Sequence, residues 1–138
     1  MWHLAVFMLP VLLLCASAVS ADEETIRLLA HRSEKYMEHL DRKEFLAIRE
    51  MLDPEIIQSI PEGTFLKTMA ALYGEATIFY GKPTVSISIT NSVSAVAYVK
   101  VIYFSKQDIS VECQHIYWVQ KLGQWFISHH ISSFSGCI

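Results

Sequence analysis

Basic charge is in short supply in this chain. Its 138 residues hold 11 Lys and Arg against 14 Asp and Glu, a net charge of −3. A nucleic-acid partner needs a basic face, and none is offered here. Nucleotide and hydrolase signatures are missing as well: there is no P-loop, no Gly-x-Gly-x-x-Gly, no Gly-x-Ser-x-Gly and no glycosylation sequon. Internal repeats and low-complexity linkers are absent, and the length is that of one domain. Long apolar runs are nearly absent. Trp2 to Leu14 is broken by His3 and Pro10 and is short of the roughly 20 residues that span a bilayer. No later stretch comes closer, so no membrane span is expected once that segment is removed, and no cofactor is expected either.

What is present begins with that same segment. Ala16-Ser17-Ala18 and Val19-Ser20-Ala21 follow it, and then Asp22-Glu23-Glu24. An apolar core before an A-x-A-like site reads as a secretory signal peptide over 1–21, cut after Ala21 or, alternatively, Ala18. Only the amino terminus and His3 supply charge ahead of the apolar run. Cys15 suggests a lipid anchor, but Leu14 stands where a lipoprotein site wants a small residue. The expected destination is the periplasm or the medium. Residues 22–138 then form one domain with two cysteines, Cys113 and Cys137. In an oxidising compartment they are available for one disulfide; the alternative is two free thiols, one in a strand and one in a tail.

The mature chain divides near Gly74. Before it, Ile26, Leu29, Tyr36, Met37 and Leu40 recur at helical spacing over Asp22–Leu40. Asp41 with Glu44 has the form of a capping box for a second helix over Arg42–Leu52. Asp53-Pro54 ends that helix, and Glu55–Ile60 is a short helical turn. Thr64 is placed to cap a third helix, Phe65–Tyr73, with Gly74 as a positive-φ stop. After Gly74, β-branched and aromatic residues take over. The expected strands are Ala76–Tyr80, Thr84–Thr90, Ser94–Phe104, Asp108–Leu122 and Gln124–Phe134, with a bend at Gly81-Lys82-Pro83 and a turn at Leu122-Gly123. The fold class is α+β: N-terminal helices on a curved antiparallel sheet of four to five strands in a meander.

Leu40-Asp41-Arg42-Lys43-Glu44-Phe45 between two helices, a helix ending at Tyr73-Gly74, and the closing hairpin Lys121-Leu122-Gly123-Gln124-Trp125-Phe126-Ile127 carry a resemblance. In this layout the whole mature chain resembles the nuclear transport factor 2-like superfamily. That is the cone fold of ketosteroid isomerases, scytalone dehydratase and SnoaL-like cyclases, and the likeness is to its small exported bacterial members without assigned function. The resemblance implies a cystatin-like curved sheet wrapped on helices, with a pocket between the concave face and the first helices. It does not imply an activity, since the superfamily hosts enzymes, binding modules and assembly domains.

Candidate site residues concentrate on Asp108–Leu122. Alternation separates Ile109, Val111, Cys113, His115, Tyr117 and Val119 from Ser110, Glu112, Gln114, Ile116, Trp118 and Gln120. The first set is the more apolar and is taken as the helix-covered face. His115, Tyr117, Tyr98 and His130 are then the pocket candidates. A one-residue change of register would exchange His130 for His129. Histidine and tyrosine together suit acid–base and oxyanion roles, although buried histidines also serve simply as hydrogen-bonded core residues. The isomerases of the superfamily use a pocket carboxylate, and here Glu112 is assigned to the outer face, so no catalytic residue is transferred. Cys113, His115 and His130 are zinc-type ligands without a ligand spacing, and no metal is assigned. Trp118 and Ile116, with Tyr98 or Lys100, are read as an outer-face interaction patch; the plain alternative is one half-covered aromatic.

The first functional expectation is therefore an exported, non-catalytic binding or interaction module. It would hold an unidentified small molecule or protein in the cone or on the outer face, with pairing of two copies through the sheet open to it. A cyclase or isomerase using His115 and tyrosines is the alternative class. An envelope assembly or toxin-inhibitor domain is the third.

Overall fold

The structure, a computed structural model, describes residues 2–79, 85–105, 108–133 and 137, with side chains placed at 22–77, 85–104, 108–133 and 137. Among the described residues four helices precede five strands: α1 (Trp2–Asp41), α2 (Phe45–Met51), α3 (Pro54–Ile57), α4 (Glu62–Tyr73), β1 (Thr77–Phe79), β2 (Val85–Asn91), β3 (Ser94–Ser105), β4 (Asp108–Lys121) and β5 (Gln124–Ser133). The expected α+β class is what the chain adopts. The expected bend at 81–83 and the outer end of the last strand at Phe134 lie outside the described residues. Among the described residues, no helix is long and apolar enough to cross a membrane.

The sheet is antiparallel throughout, in the order β1-β3-β4-β5, with β2 also on β3. β2 pairs with the first half of β3 (Val85 opposite Val99) and β1 with its second half (Phe79 opposite Ile102). β3 and β4 pair over their full length, from Ser94 opposite Val119 to Ser105 opposite Asp108. The β4–β5 hairpin turns on Leu122 (φ 52°) and Gly123 (φ 77°). Two consecutive positive φ values match the right-handed twist of the strands, which is why a glycine is needed there. Leu122 takes the same region with its side chain wholly exposed.

α1 lays Leu29, Ser33, Tyr36, Met37 and Leu40 against the sheet, all buried. Opposite them β3 presents Ala95, Ala97, Val99 and Val101, small enough at one end for the helix to come close. Burial of each large aliphatic side chain contributes about 1.5–3 kcal/mol. Ser33 belongs in this apolar stripe because its hydroxyl accepts the Trp118 indole N–H at 2.9 Å. The Arg32 guanidinium lies 4.9 Å over the same indole and donates to the Trp125 carbonyl at 2.6 Å. Phe45, Ile48 and Met51 of α2 and Phe65 and Met69 of α4 complete the core.

Three local readings of the sequence need correction. Asp41 closes α1 instead of capping α2. Lys43 (φ 60°) makes the tight turn, and Glu44 occupies the N-cap without a side-chain cap bond. α4 starts at Glu62 behind Pro61, so Thr64 is inside the helix and caps nothing. Gly74 has φ −56°; it is a glycine because a Cβ there would strike the Ala70 carbonyl oxygen. The expected stop at Asp53-Pro54 does occur, with Met51 as the last residue of α2. Asp53 donates its N–H to the Ile127 carbonyl at 2.9 Å, accepts the Glu55 N–H at 3.1 Å, and pairs with Lys121 at 2.8 Å. This segment runs along part of the β5 edge and satisfies a carbonyl that would otherwise face solvent.

Cys113 and Cys137 form a disulfide, with Cα atoms 5.0 Å apart. It ties the tail to β4 across 24 residues, a closure that stabilises by about 3 kcal/mol in the loop-entropy account.

Candidate functional site

The helix-covered face of β4 is the reverse of the one expected. Glu112, Gln114, Ile116 and Trp118 are the buried residues, with Ile116 and Trp118 at 0–1% exposure. Ile109 (72% exposed) and Val111 (49%) point outward. Cys113 is also buried, but on the outer side, where it bonds to Cys137. Trp118 and Ile116 are therefore core residues and cannot form the outer-face patch assigned to them. The physical reason lies on β3. Its odd positions Ala95 to Val101 are all apolar and buried, while exposed Lys100 stands among the even ones. Lys100 is directly opposite Cys113, and opposite residues share a face. A lysine cannot stay in the core without a partner, so Cys113 faces out with it and Glu112 faces in.

β5 adds a second reversal. Tyr117 is opposite His129, but Trp118 is opposite Ile127, so Ser128 is an extra residue in a β-bulge. Its hydroxyl donates to the Tyr117 carbonyl at 3.2 Å. A bulge shifts the alternation by one. Trp125 and Ile127 face the helices before it, and His130 and Ser132 face them after it. His115 consequently lies opposite Ile131, not His130.

Of the four expected pocket residues, His130 alone reaches the concave side. His115 lies on the outer face with its ring edge-on to Tyr98, centroids 5.0 Å apart. Tyr117 stacks on His129 there at 4.0 Å. With Cys113 in a disulfide and His115 and His130 on opposite faces, the three do not converge as a ligand set.

A cavity of about 220 Å³ does open between α1 and β4. Met37, Leu40 and Val101 form its apolar wall. Tyr73, Tyr103, Glu112, Gln114, His130 and Ser132 form its polar wall. Half of the polar wall is already self-satisfied. The Tyr36 hydroxyl bonds His130 Nδ1 at 2.8 Å, and His130 Nε2 bonds the Gln114 side-chain oxygen. The Ser132 hydroxyl donates to that same oxygen at 2.8 Å. Since a carbonyl oxygen only accepts, Nε2 carries the proton and Nδ1 accepts from the tyrosine. That is a neutral imidazole. Burial, with a smaller contribution from His115, pushes its pKa from 6.5 down to about 4. Burial and then Tyr73 push the Tyr36 phenol far above its usual range.

The other half of the wall is unlike this. Glu112 is 8% exposed. Among the described residues, no hydrogen bond or ion pair reaches its carboxylate. Burial, Tyr103 and the Glu112 carboxylate raise Tyr73; burial and Glu112 raise Tyr103. Both phenols are thus held protonated beside the acid. Alternation along the strands places none of Glu112, Gln114, Ser132, Tyr73 and Tyr103 in the pocket. Lys100 was the available signal for the first two, once β3 and β4 were read as a pair.

No family model and no curated protein matches the chain. Two solved structures resemble it. Bd1075 of Bdellovibrio bacteriovorus superposes with a TM-score of 0.56 at 10% identity, covering 78% of this chain and 39% of that one. The chain thus spans well under half the length of Bd1075. RPA3114 of Rhodopseudomonas palustris, a SEC-C motif containing protein, superposes at 0.55 with 15% identity and 74% coverage of both chains. At these identities the likeness concerns the fold alone, and neither is described as a nuclear transport factor 2-like protein.

Proposed function

We propose that the chain is an exported, non-catalytic binding module of nuclear transport factor 2-like layout that holds a small ligand between α1 and the concave face of the sheet. The observation that carries this reading is the cavity of about 220 Å³, in which the histidine is fully engaged while the Glu112 carboxylate is left open to the cavity. Small-molecule sites are concave, mostly apolar and furnished with a few directed polar groups, and this one has that character at the small end of the range. His130, bonded through both ring nitrogens, would have to break a bond to act as an acid or base. The assembly or toxin-inhibitor reading expects a filled cone and an exposed apolar sheet face; Ile109, Val111 and Ile131 fit the second, but the cavity does not fit the first.

One observation favours a second reading, a cyclase- or isomerase-type enzyme. Glu112 shares the cavity with Tyr73 and Tyr103, so a carboxylate base and two protonated phenols line one site. His115, the base first considered, has no part in it. The two readings separate by experiment. A fragment panel followed by thermal shift should reveal stabilising ligands that Ser132→Phe, which fills the cavity, no longer admits. Turnover of any bound carbonyl compound, abolished by Glu112→Gln, would replace the binding reading with the enzymatic one. Export is tested separately by sequencing the amino terminus of the protein recovered outside the cytoplasm, which should begin at Asp22.

A further inference from the structure

Glu112 lies more than nine-tenths buried at 8% exposure, and its carboxylate opens into the cavity. Among the residues that line the cavity there is no lysine or arginine. His130, the one basic side chain present, is locked as a neutral imidazole between Tyr36 and Gln114. Gln114 in turn is occupied by His130 and Ser132. An anionic ligand would meet a carboxylate and no countercharge. A neutral ligand would fill the space but leave a buried carboxylate uncompensated, which is costly. A cation resolves both problems.

The cavity also says what kind of cation. Bare metal ions need several oxygen or nitrogen ligands. Among the described residues no three His, Cys, Asp or Glu side chains converge to hold one. A space of about 220 Å³ walled partly by Met37, Leu40 and Val101 suits an apolar body attached to the charge. Tyr73 and Tyr103 line the same space, and aromatic faces attract ammonium groups, most strongly where water is excluded.

We propose that this pocket binds a small organic ammonium, its charged nitrogen against Glu112 and the Tyr73 and Tyr103 rings, its short hydrocarbon body against Met37, Leu40 and Val101. The proposal rests on the pocket-binding reading above and names the chemistry of its ligand.

Calorimetric titration of the full chain with butylammonium chloride tests it, with 1-butanol and sodium butyrate as neutral and anionic matches of the same body. Butylammonium should saturate, 1-butanol should bind at least tenfold more weakly, and butyrate should not bind. Glu112→Gln should lower butylammonium affinity at least tenfold without lowering the melting midpoint. Should that variant fail to fold, Tyr103→Leu at a half-buried position is the substitute, expected to weaken butylammonium several-fold and leave 1-butanol unchanged. Equal affinity for butanol and butylammonium, or undiminished butylammonium binding by Glu112→Gln, overturns the proposal. Binding of butanol or butyrate without the amine overturns the cation assignment but leaves the binding reading standing. Binding of none of the three, together with no stabilising ligand in the fragment panel, overturns both.

Discussion

The concave face of the sheet has two halves that do opposite things with similar backbone. Toward the β4–β5 hairpin, Ala95, Ala97, Ile116, Trp118, Trp125 and Ile127 close on α1 with almost no exposed surface. Toward the other end, Val101, Glu112, Gln114, His130 and Ser132 stand away from Met37, Leu40 and Tyr73 and leave a cavity. In the first half the Trp118 indole N–H is satisfied by Ser33. The second half is mostly polar, and only part of it is satisfied internally. The bulge at Ser128 is the border on β5. The difference teaches that one half supplies the cooperative core, and that its stability allows the other to present an acid to a cavity.

The contrast breaks most readily at its apolar end. Trp118→Ala should cost about 3–5 kcal/mol, the usual range for truncating a buried aromatic, measured by denaturant unfolding. A cost below about 1 kcal/mol would mean that the hairpin half is not the core.

Acidification should reach the polar half through His130. His130 is held neutral in the folded protein, with a pKa of about 4 against 6.5. The unfolded chain therefore binds more protons between those values, and stability rises with pH across them. The contribution is complete above pH 6.5 and is lost as pH falls toward 4, on the order of 3 kcal/mol in all. His130→Gln should flatten this dependence in a series of unfolding curves from pH 7.5 to 4. A slope that survives the substitution would assign the acid sensitivity elsewhere.

Tyr36→Phe removes the donor to His130 Nδ1 and should cost about 1 kcal/mol, visible as a small fall in melting temperature. It should also raise the pH at which the His130 imidazole resonances titrate, since protonation no longer competes with that bond. The smallest effect belongs to the convex side. Ile109→Lys, at a position 72% exposed, should change stability by no more than about 0.5 kcal/mol. A large loss there would restore the face assignment that alternation in β4 alone suggested.

Much of the architecture was legible from the chain. The signals for β3, β4 and β5, the Leu122-Gly123 turn and the helical stripe over Leu29–Leu40 are local, and local chemistry decides them. Cys113 and Cys137 were available for a bridge, though not obliged to form one. The candidate site was largely illegible, because period-two alternation yields two sets of residues without saying which set is covered. In β4 the more apolar set, Ile109 to Val119, lies outside. The inner set is chosen by its register with β3, where Lys100 cannot be buried.

By itself, then, the sequence determined the class of the fold, the order of its elements and the closing hairpin, since these follow from turn residues, helix spacing and strand composition over a few neighbours. Only the tertiary structure decided that Glu112 faces in, that His130 displaces His129, and that Tyr36, Gln114 and Ser132 use up that histidine. Those outcomes depend on pairing between strands and on one inserted residue, Ser128, whose effect is to exchange the two faces of everything that follows it.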